Sequence, residues 1–325
     1  MMGKEVLMTK GARKVIKTCA NVSQGEKVLI ITDPERLNIA NLLMGVMEED
    51  VEPVMAVMFP NKYDGQEPPD IIACAMLEAD VVIMPVTRSI SHSTAVHNAL
   101  NNGARVLAMS AFVEEQMYEG GIQADFVKQR PECERFAEHF TNSRKVEITS
   151  LSGTRFTTSI KGRNGNAHSC IVNEPGQYSA VPNIEANVAP VEGTAEGVIV
   201  VDGSVPNFGI GVVESPITIK VKNGSITEIA GGKEAEFLNS LLKGLRDSTA
   251  LNIAQIAIGL NPEIRKFNGI MLNDHGVYGS VHIGIGTSHN LGGEVKAPIH
   301  YDVMMANPTV FLDGRVVIDN GEVVG

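Results

Sequence analysis

No apolar run in this sequence approaches the roughly 18 residues that a membrane-spanning helix needs. The opening stretch, MMGKEVLMTKGARKVIK, is broken by charge throughout and has no apolar core of signal-peptide length. Cysteine is scarce: Cys19, Cys74, Cys133 and Cys170 are scattered with no Cys-x-x-Cys spacing. That is the usage of reduced, mostly buried thiols, and a cytoplasmic protein is expected. Basic charge is also short. With 27 Lys plus Arg against 38 Asp plus Glu, the formal net charge is -11, so nucleic acid and anionic membrane are excluded as main partners. The densest basic cluster, Arg13, Lys14 and Lys17, lies on one helix face that reads as solvated. Neither Gly-x-Gly-x-x-Gly nor the phosphate-loop pattern follows any strand-like run. Gly231-Gly232-Lys233 lacks the phosphate-loop spacing and reads as a loop before a helix over 234–246.

A chain of 325 residues is too long for one ordinary core and comfortable for two. Its 43% hydrophobic and 20% charged residues are those of a folded protein and exclude wholesale disorder. Roughly the first 140 residues alternate strand and helix. Lys27–Thr32, Pro53–Met58, Val81–Val86 and Arg105–Ser110 are short apolar runs, with helical patterns around 36–48, 69–78 and 93–101 between them. Fully apolar strands separated by helices predict a parallel sheet covered on both faces, with a crevice at the strand ends near Asp33, Pro60, Thr87 and Ser110. Beyond a helical stretch over 124–139 the runs alternate β-formers with polar residues. Asn223-Gly224, Asp313-Gly314 and Asn320-Gly321 are tight-turn signals between them. The expected fold is therefore a small doubly wound α/β domain over residues 1–144 and a mainly antiparallel β (α+β) domain over residues 145–325.

Of eight histidines, His92, His97, His139 and His168 sit in polar contexts without a ligand-spaced partner, and His275, in Asn-Asp-His-Gly, reads as a turn. The other three, His282, His289 and His300, cluster near the end. His300 and Asp302 are two apart on a strand-like run and so share a face. They can share one divalent metal or form one hydrogen-bonded pair. With His282 they make two imidazoles and a carboxylate, the smallest set for a catalytic metal with open positions, of zinc type or iron type. The same spacing also fits a satisfied core histidine and an aspartate that starts a turn before Met304-Met305. The residues alone leave both readings open.

The stretch VPNIEANVAPVEGTAEGVIVVDG (Val181–Gly203) contains a Pro-x-x-Glu-x-x-x-x-Pro segment; NIAQIAIGLNP (Asn252–Pro262), GSVHIGIG (Gly279–Gly286) and Ile299–Asp302 follow it. In order and rough spacing these resemble the thermophilic metalloaminopeptidases, aminopeptidase T and S. A shorter branch of that family, close to this chain's length, includes the iron-dependent 2,5-dihydroxypyridine 5,6-dioxygenases. The resemblance implies that Glu185, His282, His300 and Asp302 are metal ligands, with Asp302 where a carboxylate bridges two metals. It places Gln255 where the peptidases have a second metal-binding glutamate and the dioxygenases a histidine, and His289 near an active-site tyrosine of the peptidases.

A glutamine amide is neutral and a weak oxygen ligand, so it cannot replace a bridging carboxylate. One divalent ion (Zn, Mn, Co or Fe(II)) is therefore expected rather than two. The leading expectation is a metal-dependent hydrolase acting on a small amide, a peptide N-terminus or a cyclic amide, with Gln255 in the active site and His289 as proton carrier or oxyanion partner. The alternatives are a non-haem Fe(II) ring-cleaving dioxygenase of a dihydroxypyridine-like aromatic, and a metal-free member of the family that binds a small molecule. The expected partners are a small-molecule or short peptide substrate and a second copy of the chain, as a homodimer or higher homo-oligomer.

Overall fold

The structure is a computed structural model that describes residues 3–48, 50–206 and 209–324. Contacts divide the chain into two compact units. One gathers the described residues through Arg130 together with His168–Ile184; the other gathers Pro131–Ala167 and the described residues from Glu185 onward. The change of strand grammar near residue 145 lies inside the second unit.

In the first unit five strands run parallel in the order Glu52–Val57, Lys27–Thr32, Val81–Met84, Arg105–Ala108, Tyr178–Ala180. Val81–Met84 and Arg105–Ala108 are buried along their whole length, as a sheet covered on both faces requires. The helices Leu37–Gly45, Asp70–Leu77 and Thr94–Asn101 lie between successive strands in sequence. Ser93 caps the last of these by accepting from the Val96 amide. At the strand ends, Asp33 is fully buried and committed to structure. Its carboxylate accepts from the Thr87 amide and hydroxyl and from the Glu35 amide, tying two neighbouring strand ends together. The chain then returns at Tyr178–Ala180 to pair with Arg105–Ala108.

The second unit is mainly antiparallel. An eight-stranded sheet includes the hairpins joined by Asn223-Gly224, Asp313-Gly314 and Asn320-Gly321. Both residues of each pair take positive φ, the left-handed backbone that a two-residue hairpin of this twist demands. In Ile217–Lys222 burial alternates, with Ile217, Ile219 and Val221 inside and Lys220 and Lys222 outside. A separate sheet carries four neighbouring antiparallel strands in the order His300–Met305, Val281–Gly286, Ile253–Gly259, Glu185–Val188. Ile256, Ile258, Ile283, Ile285 and Val303 pack one face of it into the core. The opposite face holds Glu185, Gln255, His282, His300 and Asp302.

Candidate metal centre

Register and a period of two bring these residues together. Gln255 pairs with Gly284, and Gly284 with Asp302; His282 stands between Ala257 and Met304, and Gly259 faces Glu185. Every second residue therefore points to one face: Glu185, Gln255, His282, His300 and Asp302, interleaved with Ala257, Gly259 and Gly284. The small residues make the room. A Cβ on Gly284 would lie 2.7 Å from Gln255 Cβ and 2.8 Å from His300 Cε1, so only glycine lets these two side chains meet over the middle strand.

The Gln255 amide sits at the centre. Its Nε2 donates to Glu185 Oε1 at 3.3 Å and lies 3.5 Å from His282 Nε2. Its Oε1 lies 2.9 Å from His300 Nε2. The opposite orientation would set the amide oxygen against the Glu185 carboxylate. Glu185 is held in turn by Asn187, whose Nδ2 donates to Oε1 at 2.8 Å, and Asn166 Nδ2 donates to Asn187 Oδ1. The His300 Nδ1 donates to the Thr287 carbonyl at 2.8 Å. That outer bond fixes the ring and directs Nε2 inward, as in metal-bound histidines.

A sixth residue joins the cluster, and its sequence reading as a turn needs correction. His275 ends the short helix Met271–His275, is largely buried, and points into the site. Its Nε2 lies 3.3 Å from Asp302 Oδ2, its Nδ1 is 3.9 Å from Glu185 Oε2, and its ring stacks on His282 with centroids 4.5 Å apart. Two features hold it there. Gly259 lets the turn press against the strand end, where a Cβ would be 2.8 Å from the His275 carbonyl oxygen and 2.2 Å from that of Val277. The buried Asp274 carboxylate accepts from Ser204 Oγ and from the Asn268 and Gly269 amides, closing the preceding loop. Nothing local in Asn-Asp-His-Gly announces this placement. The expected proton carrier, His289, begins the turn His289–Leu291 and is exposed, where the cluster is buried.

Burial and mutual charge set the protonation of the site. Burial favours the neutral form of Asp302, but the His300 and His275 imidazoles outweigh it and hold the carboxyl well below its ordinary value. Burial likewise opposes charge on His275 and His300, and the Asp302 carboxylate overcomes it, raising both. His282 lacks that compensation: burial, only partly offset by Glu185, lowers it to about 4. Both His300 nitrogens face carbonyl oxygens, which only accept, so without a metal these surroundings favour the doubly protonated ring.

The donor set fits a divalent cation. Ligands about 2.0–2.2 Å from one ion stand about 3–3.5 Å from each other. His275 Nε2 and Asp302 Oδ2 are 3.3 Å apart, His300 Nε2 and Asp302 Oδ1 3.4 Å, and His282 Nε2 and Glu185 Oε2 3.6 Å. One ligand atom each from Glu185, His275 and His282 lie within 4.8 Å of one another. Three atoms of the cluster, His275 Nε2, His282 Nδ1 and Asp302 Oδ1, are buried without a hydrogen-bond partner. Leaving each so costs about 1–3 kcal/mol, which coordination to a cation would recover for His275 Nε2 and Asp302 Oδ1.

The family model for 2,5-dihydroxypyridine 5,6-dioxygenase, NicX, matches residues 7–325. The chain belongs to this family. A 2,5-dihydroxypyridine 5,6-dioxygenase of Pseudomonas putida is 27% identical over 191 residues, 56% of this chain and 55% of that protein. The match thus spans about half the length of that curated relative. The solved structure of 2,5-dihydroxypyridine dioxygenase from Pseudomonas putida KT2440 superposes with a TM-score of 0.84 at 23% identity, covering 99% of this chain and 98% of the other. Wild-type AmpT from Thermus thermophilus gives 0.75 at 15% identity, covering 99% and 100%. At these identities the structural likenesses speak to the fold, a parallel sheet with helices followed by a mainly antiparallel region. This NicX-family chain has, among its described residues, no helix long and apolar enough to cross a membrane.

Proposed function

We propose that this chain is a single-metal oxygenase that opens the ring of a dihydroxylated, pyridine-like aromatic. The oxygenase part of the reading rests on the family match. Its single-metal part is carried by Gln255, which stands where the dioxygenases are expected to have a histidine: a neutral amide occupies the middle of an otherwise ionisable cluster whose carboxylates, among the described residues, are Glu185 and Asp302. Two dications held close together need bridging negative charge, and an amide supplies none. His300 and Asp302, with the neighbouring imidazoles, would hold the one ion. Iron(II) bound there would supply the one-electron chemistry that dioxygen requires and open positions for a chelating diol.

The protein's own groups do the rest. Thr287 holds the His300 ring through Nδ1, and Asn187 holds Glu185. His275 and His300 must release protons before they can act as ligands, so loading is coupled to pH. Glu185 is the carboxylate next to the neutral His282 and is placed to accept a proton from an acidic substrate hydroxyl. The family match over residues 7–325 supports the same reading.

The test is oxygen uptake by the full chain loaded anaerobically with Fe(II), with 2,5-dihydroxypyridine and related diols as substrates. Uptake matched to ring opening is expected. One bound iron per chain without uptake on any of these diols would overturn the oxygenase reading.

A second reading, a metallohydrolase of small amides or peptide N-termini, is favoured by one observation. Glu185 and His282, 3.6 Å apart, form a second carboxylate–imidazole pair beside the first. Cobalt- or zinc-dependent release of an N-terminal residue from peptide anilides would support it over the oxygenase.

A further inference from the structure

We propose that His275 is a metal ligand, the imidazole that completes the centre where Gln255 leaves out a strong donor. The inference rests on the single-metal reading above and adds a residue that strand periodicity does not supply.

The argument starts from Asp302. Its two oxygens are flanked by two imidazole nitrogens at nearly equal distances, His300 Nε2 at 3.4 Å and His275 Nε2 at 3.3 Å. That is the spacing of neighbouring ligands on one ion, and it makes two imidazoles and one carboxylate, the set that leaves other positions open. His282 is placed differently: its Nε2 faces Gln255 and Glu185. His275 Nε2 is buried without a hydrogen-bond partner although an Asp302 oxygen is near, because the two are not aligned for a hydrogen bond. A cation between them needs no such alignment.

The position of His275 is also built. Asp274 spends its buried carboxylate on closing the loop, Gly259 removes the Cβ that would hold the turn off the strand, and the His282 ring stacks flat against the His275 ring. A surface turn has no use for these constraints. With His275 the site offers three imidazoles, which favours iron, cobalt or zinc over magnesium or calcium.

The experiment uses the full chain stripped of metal by chelator, then titrated with Fe(II) under argon and with Co(II). Wild type is expected to take up one ion, and His275→Ala to bind at least tenfold more weakly, the minimum seen when even an outer partner of a ligand is lost. In His275→Gly, added imidazole should restore affinity, which a purely structural role would not allow. Pulsed electron paramagnetic resonance of the Cu(II)-loaded chain should count one imidazole fewer in His275→Ala than in wild type. His275→Gln, which keeps the bulk with a poorer donor, should show the same loss if the alanine variant fails to fold. Unchanged affinity and unchanged imidazole count in the variants would overturn the assignment while leaving the single-metal reading in place. A wild type that binds none of these ions would overturn both.

Discussion

Gln255 and His300 meet over Gly284, amide oxygen to Nε2, at 2.9 Å, while the nitrogen end of the same amide reaches Glu185. One neutral side chain thus spans the interval between the two carboxylate–imidazole pairs. Gln255→Glu would put a third carboxylate there. The expected result is a rise in bound divalent metal from one toward two per chain, measured by calorimetric titration with Zn, Mn, Co and Fe(II) and by elemental analysis. Two metals already bound to wild type would refute this account of Gln255.

Asp302→Asn removes the charge that both His275 and His300 face. An amide cannot supply an anionic ligand, so affinity for the first metal should fall by a factor on the order of 100 or more. The same titrations read it. The His300 and His275 pKa values should drop as well, because Asp302 is what raises them; nuclear magnetic resonance of the metal-free variant measures that shift. Retention of metal at wild-type affinity would remove Asp302 from the site.

Metal binding should strengthen as pH rises above about 6.5. His275 and His300 hold protons beyond their ordinary value in the metal-free chain and must give them up to bind. Calorimetry in two buffers of different ionisation enthalpy should reveal proton release. A binding enthalpy that does not vary with the buffer would contradict the proposed ligands.

The stability of the metal-free chain should fall on the acid side for a separate reason. His282 titrates near 4 when folded and near 6.5 when unfolded, so folding disfavours its protonation. Its contribution is complete above pH 6.5 and is lost as pH falls toward 4, about 3 kcal/mol in all. His275 and His300, being raised, contribute below 6.5 and lose that contribution as pH climbs through their folded values. Urea unfolding at pH 4.5, 6.5 and 8.5 tests both limbs. His282→Leu should flatten the acid limb.

Gly284→Ala should damage the centre without touching a ligand. The added Cβ would sit 2.7 Å from Gln255 Cβ and 2.8 Å from His300 Cε1, and Gln255 is anchored in a buried strand, so the His300 ring must shift. About 1–3 kcal/mol of destabilisation is expected, with weaker metal binding. Thermal unfolding and metal titration of the variant, compared with Ala257→Gly as a control on the same face, would show whether His300 moved.

Much of this protein is written locally. Five of the six clustered residues stand on strands, where the side-chain period of two depends only on the backbone conformation of each segment; His300 and Asp302 on one face, with His282 on a neighbouring run, is therefore visible in the string. The hairpins at Asn223-Gly224, Asp313-Gly314 and Asn320-Gly321 are legible for the same reason, since a left-handed turn selects its residues on the spot. Tertiary structure alone decided what depends on distant closure. His275 reaches the cluster because its turn closes over Gly259, a residue 16 positions earlier, and because Ser204, from another part of the chain, ties down Asp274. Tyr178–Ala180 joins the parallel sheet by pairing with Arg105–Ala108, more than seventy residues before it. Local propensity fixes which way a strand residue points. The location of a turn or a late strand is set by whichever distant surface can bury it, and no short stretch of sequence contains that surface.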